Sequence, residues 1–149
     1  KINEYLFKDV DGIPGAGAAG GLGAGLMAFL DAGMKGGFDM VAGIIDLEKE
    51  IAEADLIITG EGKIDPQTWY GKAIAGVAEI ADKYGKPVIA VAAVIDQEEE
   101  LLYNKGIRAV FSISEETLPV QESIRNASEL LTQTGERIGN WIKKEKFQS

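Results

Sequence analysis

The chain has 149 residues, enough for one ordinary domain that buries roughly 70% of the surface its unfolded form exposes. Its formal net charge of −9 argues against a nucleic-acid partner, because such proteins build affinity from clustered Lys and Arg. It contains no Cys and no His, which excludes disulfides, thiol nucleophiles, thiolate or imidazole metal sites and a Ser-His-Asp triad. Chemistry is left to Asp, Glu, Lys, Arg, hydroxyls, backbone N–H groups or a metal ion held by oxygen.

The first 45 residues are rich in glycine: eleven of the nineteen lie at or before Gly43. Within them, 20-GGLGAGLMAFLDA-32 reads as a buried helix that tolerates glycine, leading into 33-GMKGG-37. The stretch 46-DLEKEIAEA-54 is a short helix, and a domain boundary is expected near residues 43 to 46. Strand and helix then alternate. The run 55-DLIITG-60 reads as a buried parallel strand, followed by a loop, 61-EGKID-65. Trp69, Ala73, Ile74, Val77, Ile80, Ala81 and Tyr84 form one helical stripe, stopped by Gly85 and Pro87.

A second strand, 88-VIAVAAVI-95, leads to Asp96 and Glu99, a capping-box pattern for a helix 97-QEEELLYNK-105 that Gly106 ends. The acidic run Glu98, Glu99 and Glu100 is the solvated first turn of that helix. A third strand, 107-IRAVFSI-113, precedes a last helix from about Pro119 to Lys146, with Val120, Ile124, Ala127, Leu131, Ile138, Trp141 and Ile142 on its apolar face. Its closing Lys143, Lys144 and Lys146 oppose the negative end of the helix dipole. The alternation predicts half of a doubly wound α/β domain with a parallel sheet.

No apolar run approaches the roughly 20 residues of a membrane helix, and the start KINEYLFKDVD lacks a signal peptide's basic-then-apolar order. Neither a membrane partner nor export is expected, and a chain without thiols fits a reducing cytoplasm. Beginning at Lys1 rather than Met, the chain is expected to be part of something longer.

Two stretches stand out. The first, 15-GAGAAG-20, spells G-x-G-x-x-G, yet it follows the polar 8-KDVDGIP-14 rather than an apolar strand. Asp39 has roughly the spacing of a ribose-binding acid, but no βαβ unit surrounds it, so the dinucleotide reading is disfavoured. Closely packed helix backbone and an anion-accepting loop at a helix N-terminus both remain open. A Walker A loop is absent, since Pro66 stands where the glycine before Gly71-Lys72 should be.

The second is 59-TGEGKIDPQTWYGK-72, at the carboxyl end of the first strand, where open α/β sheets bind ligands. It gathers Glu61, Asp65, Lys63, Lys72, Thr59, Thr68 and the glycines Gly60, Gly62 and Gly71. Asp65 before Pro66 is a good cap pair, and it either caps alone or caps and also serves a site. Asp96, closing the second strand, could reach the same cleft, although its capping role is the simpler one.

Taken together and in order, 15-GAGAAGGLGAGLMAFL-30 and 58-ITGEGKIDPQTWYGK-72 resemble the bacterial glycerate kinase family, of the type acting on the 2-hydroxyl. The resemblance continues through 87-PVIAVAA-93 and 106-GIRAVFSI-113 to the final helix. Trp69-Tyr70 replaces a less bulky pair, and 92-AAVIDQ-97 lacks the glycine usual after that strand. Family members are more than twice as long, with a flavodoxin-like α/β domain made from both chain ends and a second α/β domain inserted between.

The resemblance implies that residues 1–43 close the inserted domain and residues 44–149 complete the flavodoxin-like one, the missing N-terminal part supplying half of the cleft. It implies transfer of the ATP γ-phosphoryl group to glycerate with Mg²⁺. Asp65 is then expected as base or metal contact, Glu61 second in both roles, and Lys72 or Lys63 to balance phosphate or carboxylate charge. Gly15, Gly17, Gly20 and Gly21 would offer N–H groups to an anion. Thr59, Gly60, Gly62, Lys63 and Thr68 would bind substrate or phosphate. The alternative is a non-catalytic α/β module that binds a small anion or a nucleotide.

Overall fold

A computed structural model describes residues 2–69, 72–96, 102–114 and 119–145. Contacts divide the chain into two compact units, residues 1–37 and 38–149. Helix α3 (Gly37–Ile44), which ends beside the boundary expected near residues 43 to 46, belongs to the larger unit from Phe38 onward. Its Phe38 ring lies so close over Gly76 that a Cβ there would clash with it.

The smaller unit holds α1 (Ile2–Leu6) and α2 (Ala18–Leu30) around Val10, Ala16, Met27 and Ala28. Helix α2 does not begin regularly: Ala19, Gly20 and Gly21 take left-handed φ values of 50°, 68° and 93°. That kink lets the chain fold back on itself, with the Ala24 N–H donating to the Ala16 carbonyl at 2.9 Å. Gly23 is needed for this approach, because a Cβ there would lie 2.5 Å from the Gly15 oxygen. The helix expected to be buried buries only Gly23, Met27 and Ala28, while Phe29 and Leu30 stay 68% and 71% exposed.

In the larger unit, α4 (Leu47–Glu53) precedes a parallel sheet of β1 (Ile57–Ile64), β2 (Val88–Ile95) and β3 (Ile107–Ser112), ordered β1-β2-β3. These are the apolar runs of the sequence, and parallel strands need cover on both faces. Helix α5 (Ala73–Lys83) buries Ile74, Val77, Ala78 and Ala81 against Ile64, Val88, Ala90 and Ala92 on one face. The other face carries Ile89, Ala109 and Phe111 under Ile138 of α7 (Ala127–Glu145), where Phe111 meets Trp141 edge-on at 6.2 Å. The α/β class with a parallel sheet is as the alternation predicts.

Three local differences have physical causes. Residues 61–64, expected as loop, continue β1: Glu61 pairs with Ala92, Lys63 with Val94 and Ile64 with Ile95. Ile64, fully buried, anchors that extension. The last helix is two, α6 (Val120–Arg125) and α7, broken at Asn126, which leaves the helical region at φ −100°, ψ 12°. Ile124 and Leu131 on the expected apolar face are 70% and 51% exposed. Residues 97–101, most of the helix expected after β2, lie outside the described residues, as do Lys146 and Tyr70.

Gly60 is tightly required. A Cβ there would sit 2.7 Å from the Val91 carbonyl oxygen of the neighbouring strand. Glycine-to-alanine changes in strands ordinarily stabilise. Gly60→Ala is expected instead to cost about 1–3 kcal/mol by overpacking. The urea midpoint of the full-length protein measures this, and an unchanged or raised midpoint contradicts the close approach.

Candidate active site

The end of β1 and the turn beyond it form a bonded unit. Asp65 leaves the strand and caps a short 3₁₀ turn, Pro66–Trp69, with Pro66 at the first position, where a missing N–H costs nothing. The Asp65 Oδ1 accepts the Gln67 N–H at 2.9 Å, and its carbonyl accepts the Thr68 N–H at 2.9 Å. In return the Asp65 N–H donates to Thr68 Oγ1 at 3.1 Å, a reciprocal cap with threonine in the place usually held by Glu or Gln. The Thr68 hydroxyl donates onward to Glu61 Oε1 at 2.5 Å.

Charge alternates across this end of the sheet. Lys72 reaches Asp65 Oδ1 at 3.2 Å, from the position just before α5. Lys63 pairs with Asp96 at 2.7 Å, tying β1 to the end of β2. The Lys63 and Asp65 charges also act on each other, so the order is Lys72, Asp65, Lys63, Asp96. The Lys63–Asp96 pair is about half exposed and stabilises the fold little. Asp96 thus has a partner across the sheet; Glu99, its expected capping partner, lies outside the described residues.

The Asp65 carboxyl is held below its ordinary range, chiefly by the hydrogen bond from Lys72. Partial burial opposes this, while the Lys72 charge, the Gln67 N–H and the Lys63 charge add to it. The Lys63 ammonium is raised above its usual value, first by its hydrogen bond to Asp96. A carboxyl whose folded pKa is depressed stabilises the fold above its unfolded pKa and loses that contribution as pH falls through the folded value. Asp65→Asn is therefore expected to flatten the loss of stability below about pH 4, measured by urea denaturation as a function of pH. An acid limb as steep as the wild type's would remove Asp65 from it.

The structure brings Glu61, Lys63, Asp65, Thr68 and Lys72 together. Thr68, expected to touch substrate or phosphate, is fully buried, with its hydroxyl engaged by Asp65 and Glu61. Thr59, Gly60 and Gly62 lie along β1 beside an apolar groove of about 590 Å³, bordered also by Ala92, Ala93, Leu131 and Gly135. Gly15, Gly17, Gly20 and Gly21 belong to the smaller unit, where Gly17 precedes α2 and Gly20 and Gly21 form its kink. Sequence reasoning missed the reciprocal Thr68 bond; the signal available was a hydroxyl three residues after a capping aspartate. Among the described residues no group of three or more acidic side chains could hold a metal ion.

A parallel sheet with a charged, hydrogen-bonded turn beyond its carboxyl ends has the layout of α/β enzymes that bind small molecules there. The chain belongs to the glycerate kinase family, whose model matches residues 1–143. It is 46% identical over 137 residues to the glycerate kinase of Halalkalibacterium halodurans, covering 92% of this chain and 36% of that one. It is 42% identical to the glycerate 2-kinase of Escherichia coli K12, with the same coverage of each chain. A crystal structure of a protein described as glycerate kinase 2, from Salmonella typhimurium LT2, superposes with a TM-score of 0.74 at 39% identity, covering 99% of this chain and 37% of that one. The chain thus spans little more than a third of the length of these relatives. No helix among the described residues is long and apolar enough to cross a membrane.

Proposed function

We propose that the protein containing this chain transfers the γ-phosphoryl group of ATP to the 2-hydroxyl of glycerate, giving 2-phosphoglycerate. The observation that carries this is the 42–46% identity to glycerate kinases, one a glycerate 2-kinase, across 92% of the chain. Residues 1–43 would close an inserted domain and residues 44–149 complete a flavodoxin-like one, the rest of a longer chain supplying the remaining half of the cleft. A cytoplasmic setting belongs to the same reading.

Phosphoryl transfer asks for alignment, neutralised charge and an acceptor for the hydroxyl proton. Asp65 is the proposed acceptor. Its low basicity suits a loose transition state, in which the nucleophile gives up its proton late. Lys72, already against that carboxylate, and Lys63 would face the anionic oxygens of glycerate and phosphate. Gly15, Gly17 and Gly20 would offer backbone N–H groups to an anion, whereas that of Gly21 already donates to the Gly17 carbonyl at 3.3 Å.

The donor set suits Mg²⁺ only in part. Mg²⁺ at phosphate sites takes one or two carboxylates and completes its shell with phosphate and water. Asp65, its carboxyl held below the ordinary range by Lys72, and Glu61 are the two that this chain could lend. The ion would supply neutralisation of phosphate charge.

The test is ADP release by the full-length protein with MgATP, with and without D-glycerate. Release that depends on glycerate is expected. A folded protein that binds anions but releases no ADP with glycerate would instead be a non-catalytic α/β module.

A further inference from the structure

We propose that Thr68 is a positioning residue, its hydroxyl bridging Asp65 and Glu61 so that two carboxylates from different elements keep one fixed geometry. The inference rests on the kinase reading, in which Asp65 meets the reacting hydroxyl. Glu61 is placed by the β1–β2 ladder, opposite Ala92. Asp65 is placed by the turn beyond the strand, and would otherwise follow that turn wherever it moved. Thr68 joins the two: Oγ1 accepts the Asp65 N–H at 3.1 Å and donates to Glu61 Oε1 at 2.5 Å.

The choice of threonine supports this role. Thr68 is 0% exposed. Valine would fill nearly the same volume without a hydroxyl to satisfy, and a buried hydroxyl left without partners is costly. Here donor and acceptor are both used, and both lead to acidic residues of the site. The bond to the Asp65 main chain also fixes where its carboxylate starts, leaving Gln67 and Lys72 to set its direction. Displacing a catalytic group by about 1 Å costs on the order of a hundredfold in rate, so such a link shows in turnover before it shows in binding.

The experiment is a double-mutant cycle in the full-length protein, with Thr68→Val, Thr68→Ser and Asp65→Asn. Thr68→Val is expected to lower kcat at least about tenfold, with KM for glycerate and MgATP within about threefold, and Thr68→Ser to restore most of kcat. In the Asp65→Asn background Thr68→Val should cost several-fold less than in the wild type, because only its hold on Glu61 still matters there. An equal loss in both backgrounds, or a serine variant as slow as the valine one, would overturn the proposal. Should Thr68→Val fail to fold, Thr68→Ala takes its place in the same cycle.

A wild-type protein without glycerate-dependent ADP release overturns the kinase reading and not the bridge. Hydrogen exchange of the Asp65 amide then decides. Protection lost in the valine variant and kept in the serine one supports the bridge; protection unchanged in the valine variant overturns it.

Discussion

Asp65→Asn is expected to lower kcat for glycerate phosphorylation by a factor on the order of 10² to 10⁴, the range for loss of a positioned general base. Asparagine is among the best capping residues, so its side-chain oxygen can still accept the Gln67 N–H, and the turn should persist. What disappears is the negative charge beside Lys72 and the ability to take a proton. KM for glycerate should change far less than kcat, because the lost interaction matters most as the hydroxyl attacks. Steady-state ADP release by the full-length protein, with circular dichroism to show that the fold is intact, measures both. A folded variant that keeps more than a tenth of its turnover would remove Asp65 from the reaction.

The second large effect concerns the residue just before it. Ile64 is fully buried at the end of β1, in the core shared with Ile74, Val77 and Ala92. Ile64→Ala is expected to destabilise by about 2–5 kcal/mol, and Ile64→Val by about 0.5–1.5 kcal/mol. Because the chain passes directly from Ile64 into the capping aspartate, the alanine variant should also lose turnover at temperatures where it remains folded. Urea denaturation of the full-length protein gives the first quantity and the assay above gives the second. A cost below about 1 kcal/mol for alanine would mean that Ile64 does not anchor the strand.

What the sequence made legible was local. Asp65 followed by Pro66 announces a cap wherever the chain lies in space, because the bonds close within three residues. The stripe that includes Ile74, Val77 and Ala81 announces its helix for the same reason, and the structure buries those three. What was misread depended on distant partners. Gly62 falls in the stretch 61–65 that reads as a loop, because glycine frees the backbone, yet it lies in the strand. At Gly60 the need for glycine arises from the Val91 carbonyl, on the next strand. Asp96 reads as a cap from its neighbours, and only the pairing of Lys63 opposite Val94 brings an ammonium to it. Helix α2 is apolar almost all round, so its composition could not say which side would be covered.

The register of β1 against β2 bears on how the turn comes into being. Each paired β1 residue faces the β2 residue thirty-one positions further on, from Ile57 opposite Val88 to Ile64 opposite Ile95. Closing a loop carries an entropic penalty that grows only with the logarithm of its length, so every rung, closing the same length, meets the same penalty. No end of the ladder is therefore privileged by topology, and the first contacts to hold decide where zippering starts. At the carboxyl end, buried Ile64, the Asp96 N–H on the Ile64 carbonyl at 2.8 Å and the Lys63–Asp96 pair all act across that junction. The cap itself closes locally, but its position relative to Glu61 and Asp96 is shared with the end of the sheet, so loosening that end of the ladder loosens the arrangement of the charged groups with it.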